Sequence, residues 1–133
     1  MLGNRNPVTN LASKDVGRSK AFFTDTLGLK EVGNKGDDMI FFKSGDSMLK
    51  VYRSEYAGTN KADAVSWPVD DIEKEMEALK AKGVTFEHYG DIPGLEAQGD
   101  LYVGEGIRMA WFKDPDGNIL HIVQESAWSR PNL

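Results

Sequence analysis

The chain has 133 residues, a formal net charge of −5, 40% hydrophobic and 28% charged residues, and no cysteine. That length supports one compact domain with a real core, and the lack of thiols excludes disulfides and thiolate metal sites. Nucleic acid is not an expected partner, because no basic stripe is present to neutralise phosphates. No apolar run approaches the roughly 18 residues of a membrane span, and no basic-then-apolar leader opens the sequence, so a cytoplasmic setting without a membrane partner is expected.

In chain order, residues 7–13 read as a strand, and "DVGRSKAFFTDTLGL" reads as a helix opening on Asp15. Val16, Phe23 and Leu27 share a face at helical spacing with Phe22 on its flank, and Gly28 stands where a left-handed stop is favoured. Three apolar segments follow: "LKEV", "DMIFFK" and, past the turn "SGD", "SMLKVY". The pattern then starts again. Residues 62–69 read as a strand, and "DDIEKEMEALKAKGV" as a helix with Ile72, Met76 and Leu79 on one face and Gly83 as its stop. Asp70 and Glu73 have the spacing of a capping box. "VTFEH", "IRMAWFK" and "NILHIVQ" supply three strands, the last two joined by "DPDG".

Strand, helix and three strands thus occur twice, at an offset of 56 residues from Asp15 to Asp71 and from Val8 to Ala64. The endings "FFK…MLKVY" and "WFK…ILHIV" repeat as well. The halves differ chiefly at "YGDIPGLEAQGDLYVGEG", residues 89–106, a long Gly-rich segment expected to be a lid without regular structure. The polar tail 126–133 lies outside the repeat and is expected to be disordered or to cross to a partner subunit.

Two such modules, with "DVGRSKAFFTDTLGL" in the first and "FKDPDGNILHIV" in the second, resemble the glyoxalase/bleomycin-resistance/extradiol-dioxygenase superfamily, also called the vicinal oxygen chelate superfamily. The resemblance covers Pro7 to Gln124. It implies an α+β fold within a single domain: two βαβββ modules, about 7–57 and 62–125, each curling a mixed sheet into a cup. Many members are homodimers, and a homodimer is expected here. Metal-containing members hold a divalent ion with His and Glu side chains from the first and last strands of the modules. Members range from isomerases, dioxygenases and thiol transferases to proteins that only sequester antibiotics.

Carried over position by position, the four metal-holding places fall at Val8, Lys50, Ala64 and His121. Valine and alanine offer no lone pair and an ammonium repels a divalent ion, so no metal and no cofactor are expected. The same geometry puts Lys50 and His121 on the cup face. Alternation adds Met48, Tyr52, Ile119 and Val123, with Asn10, Ala12 and Ser66 from the first strands. Tyr102 is a further contact expected from the lid. The candidate ligand-binding residues are therefore His121, Lys50, Tyr52, Asn10, Ser66, Met48 and Tyr102. Alternation puts Trp67 on the helix side, whereas the pairs Phe41–Phe42 and Trp111–Phe112 each leave open which ring faces the cup. A metal-free protein that binds or sequesters a small organic molecule is the expected function. The alternatives are a lyase, isomerase or dioxygenase, using Lys50 and His121 as acid and base or an atypical metal site, and a scaffold with a degenerate pocket.

Overall fold

A computed structural model describes residues 1–125. The chain forms two compact units, Met1–Lys61 with Asp114–Asn118, and Ala62–Lys113 with the remainder from Ile119 onward. The tail read above as disordered or partner-crossing lies outside the described residues.

The first unit runs β1 (Thr9–Ser13), α1 (Val16–Ala21), a π-helical turn (Phe22–Thr26), β2 (Lys30–Lys35), β3 (Met39–Ser44) and β4 (Ser47–Arg53). Its four strands are ordered β1-β4-β3-β2, with β1 parallel to β4. Asp15 caps α1 by accepting from the Arg18 N–H at 3.1 Å, and Val16 and Phe23 are buried. Phe42 packs on Phe23 at 5.6 Å between ring centroids, and alternation therefore places Phe41 on the opposite face. Leu11, Ile40, Leu49 and Val51 complete this core.

The turn 114–118, "DPDGN", is packed into the same unit. Asp116 accepts hydrogen bonds from the Lys14 N–H at 2.8 Å and the Ser19 hydroxyl at 3.0 Å, and pairs with Arg18 at 3.3 Å. Asn118 donates to the Ala12 carbonyl and to the Asp114 carboxylate, both at 2.8 Å. This motif, prominent in the sequence, is architectural.

The second unit runs β5 (Asp63–Pro68), α2 (Ile72–Ala81), β6 (Glu96–Gln98), β7 (Leu101–Gly104), β8 (Ile107–Lys113) and β9 (Ile119–Glu125). Its five strands are ordered β5-β9-β8-β7-β6, with β5 parallel to β9. The helix start repeats that of α1: Asp71, with φ −137° and ψ 94° against −137° and 95° at Asp15, accepts from the Lys74 N–H. The cap is thus Asp71 and not Asp70, and Glu73 instead pairs with Arg108.

Two expectations fail here. "VTFEH" contributes only a bridge between Phe86 and Phe112 and no strand of its own. The expected lid is instead the hairpin β6–β7, which extends the sheet beyond β8. Gly99 and Gly106, both with positive φ, make the tight turns on either side of β7 and let backbone hydrogen bonds, not solvent, satisfy this segment. The architecture is α+β, with two mixed sheets. Among the described residues, no helix is long and apolar enough to cross a membrane.

Candidate functional site

Strand β9 alternates cleanly. Leu120 and Ile122 are buried on the side of α2, whose Ile72 N–H is bonded at 2.8 Å by the side chain of Gln124 on the same face. Ile119, His121 and Val123 point the other way. The register sets Ser66, His121 and Trp111 side by side across β5, β9 and β8, which settles that Trp111, and not Phe112, shares the face of His121.

The His121 Nδ1 lies 2.9 Å from the Ser66 hydroxyl. The planes of the Trp111 ring and the imidazole meet at 31°, with 5.1 Å between centroids. Its indole N–H reaches past β9 and donates to the Asp63 carboxylate at 2.8 Å. In a regular strand Asp63 would point away from Ser66, three residues on. A bulge between Asp63 and Val65 shifts the ladder, as bulges do when they re-aim a side chain, and brings the carboxylate to the Trp111 indole. Asp63 and Trp111 are the residues of this site that sequence reasoning did not single out. Bulges leave no compositional mark, and adjacent aromatics hide their facing.

His121 is 8% exposed, and its Nε2 is buried with no hydrogen-bond partner among the described residues. Burial lowers the imidazole pKa below its usual value, and the Asp63 charge opposes that shift only in part. The ring is therefore neutral at neutral pH. Nδ1 either accepts from Ser66, leaving Nε2–H as a donor, or donates to it, leaving Nε2 as an acceptor. Because the unfolded imidazole takes up a proton that the folded one resists, stability is fully retained above the unfolded pKa of about 6.5 and falls as pH drops below it. Urea unfolding from about pH 8 to about pH 5.5 is expected to show this loss, at most about 1.4 kcal/mol per pH unit for one proton, and His121→Phe is expected to remove that component.

Beside this row lies an aromatic cluster. Tyr102 and Tyr89 meet Trp111 edge-on, at 5.3 and 5.6 Å. Ile119 joins the cluster, and Ile92, Leu95 and Met109 pack against it. Tyr102 is 2% exposed and its hydroxyl accepts the Tyr89 N–H at 2.8 Å. It sits in β7, not in a lid, and supports Trp111 from within the core. The Tyr89 phenol is raised by burial and then by the Glu87 and Asp63 charges.

The other candidates belong to the first unit. Asn10, Lys50 and Phe41 form one row across β1, β4 and β3, and Ala12, Tyr52 and Met39 the next. Lys50 is half-buried, with its ammonium 5.7 Å from the Tyr52 ring centre, within cation–π range. Met48 is 41% exposed and Asn10 is exposed. His88 lies elsewhere, bonded to Asp100, which also pairs with Lys80.

The residues do not fit a divalent metal. In the first unit, Val8 precedes β1 and Lys50 is cationic. In the second, Ala64 sits within the bulge, so His121 is the one donor among the four family positions. Among the described residues, no group of three or more His, Cys, Asp or Glu is placed to hold an ion.

Fold and motifs together define the class. The family model of the Glyoxalase/Bleomycin resistance protein/Dioxygenase superfamily matches residues 6–122, and the chain belongs to that superfamily. Among solved structures it is similar to the lactoylglutathione lyase from Agrobacterium tumefaciens, at 20% identity and a TM-score of 0.69 over 96% of this chain and 98% of that one. It is also similar to the genomically encoded fosfomycin resistance protein, FosX, from Listeria monocytogenes, at 16% identity and a TM-score of 0.69 over 93% and 95%. An integron cassette protein from the mobile metagenome of Halifax Harbour Sewage Outfall matches at 19% identity and a TM-score of 0.66 over 91% and 98%. At these identities the likeness is one of fold. No curated protein sequence matches the chain.

Proposed function

We propose that this protein binds a small organic molecule without a metal, as a cytoplasmic homodimer, and that sequestration is its role. The observation that carries this reading is the buried His121 Nε2, a polar atom without a partner among the described residues, set among apolar rings. Such an atom costs about 1–3 kcal/mol unless something bonds it, and apolar walls with a few polar groups are what small-molecule sites offer. Ser66 positions the imidazole. Two of the similar structures are a lyase and a fosfomycin resistance protein, and the second supports a role in handling a drug. A net charge of −5 favours a cationic one.

Thermal-shift screening against a small-molecule panel tests the proposal, because a ligand bound only to the folded state raises the midpoint. A hit at about 100 times its dissociation constant contributes about 2.7 kcal/mol, and His121→Phe is expected to reduce that shift. A shift that survives in His121→Phe would remove the site. A divalent ion co-purifying at one per chain would overturn the metal-free reading. Turnover of a hit, lost in His121→Phe, would make the protein an enzyme.

A further inference from the structure

The Trp111 indole starts on β8 and is anchored on β5, with β9 between them. Strands lie about 4.8 Å apart, so the indole N–H that bonds a β5 side chain leans toward β5 over the face of β9. The ring beside it on β9 is that of His121, at 5.1 Å between centroids. Its imidazole has one nitrogen satisfied by Ser66 and the other buried without a partner among the described residues. Tyr89 and Tyr102 brace the indole edge-on. Asp63, by contrast, is exposed, so the anchoring bond can be exchanged for water.

We propose that Trp111, tied down by Asp63, is a strap that closes the His121 site, and that a ligand reaches Nε2 only when the indole–carboxylate bond is released. The inference rests on the small-molecule reading for its purpose, though its geometry stands without it. The strap explains why Nε2 is buried with no partner among the described residues: the closed state keeps water from the imidazole, and a ligand that bonds Nε2 offsets the opening. It also makes Asp63 and Trp111 specificity-determining. A ligand must supply an apolar surface in place of the indole, and an anion would meet the Asp63 carboxylate.

The test is the reactivity of His121 toward diethyl pyrocarbonate, which acylates a neutral imidazole nitrogen, followed by mass mapping of the peptides. His88, with its side chain 56% exposed, is the reference within the same molecule. In the wild type, His121 is expected to react far more slowly than His88. Asp63→Ala and Trp111→Phe each remove the bond while leaving a residue of acceptable size, and each is expected to speed His121 by roughly tenfold or more, the effect of losing a hydrogen bond to a charged acceptor. Asp63→Asn, which keeps a carbonyl acceptor, should fall between wild type and Asp63→Ala. The double variant should exceed neither single one, because both remove the same bond. A wild-type His121 as reactive as His88, or one equally protected in both single variants, overturns the strap. Since this assay uses no ligand, its failure leaves the thermal-shift result standing, and an empty thermal-shift screen leaves the strap standing.

Discussion

Replacing Gly58 with alanine is expected to lower stability by about 3 kcal/mol, among the largest effects a single methyl group can have in this chain. Gly58 has a φ of +75°, a conformation that costs an L-residue about 1–2 kcal/mol. Its amide also donates to the Asn118 side chain at 3.3 Å, so the backbone cannot relax freely. A Cβ there would collide with the carbonyl oxygen of Asp116, whose turn is fixed by Lys14, Arg18 and Ser19 and cannot withdraw. Gly99→Ala is the control. With φ of +65° and nothing within 4 Å of its would-be Cβ, it carries the conformational cost alone. The urea midpoint of Gly58→Ala should fall by about 1 M or more, and that of Gly99→Ala by about a third to two-thirds as much. Equal shifts in the two variants would mean that the contact with Asp116 does not constrain the turn.

Much of the fold was legible because its signals are local. Asp15 and Asp71 carry the same cap in the same backbone conformation, and Val16 and Phe23 are buried as helical spacing requires. Period-two alternation likewise set Asn10 beside Lys50 and Ser66 beside His121, pairings that the register displays. What was not legible depends on pairing partners. The segment 89–106 reads as a lid because its glycines break it into pieces too short to register as strands, yet each piece is long enough to hydrogen-bond to a neighbour already in place. Tyr102 accordingly lies buried in β7 instead of in a lid. Asp63 was invisible for a different reason. Alternation assumes an unbroken ladder, and one extra residue in β5 brings a side chain of the opposite parity to Trp111.

The motif "DPDGN" shows why a family mark need not be a functional one, and Asn118 gives its sharpest test. Asn118 is 6% exposed and uses all its polar atoms: Nδ2 donates to the Ala12 carbonyl and to Asp114, and Oδ1 accepts from Gly58. Asp114, also 6% exposed, accepts further from the N–H groups of Asp116 at 3.0 Å and Asn118 at 2.9 Å. Burial still holds its carboxyl above the usual carboxylate value, with the hydrogen bonds from Asn118 and Asp116 pulling the other way. Asn118→Ala is therefore expected to cost about 3 kcal/mol, the sum of a lost bond to a charged acceptor and the unpaired Ala12 carbonyl. Asn118→Asp separates charge from shape. It retains the volume but sets a second carboxylate against Asp114, so the folded pair holds a proton that the unfolded chain has released. A folded pKa raised in this way gives stability that is present at low pH and lost as pH rises through it. The Asp variant should consequently come closest to wild type in mild acid and fall furthest behind it above neutrality, whereas the Ala variant should trail by a steadier margin. Parallel pH profiles for the two variants would show that Asp114 is not the group Asn118 serves.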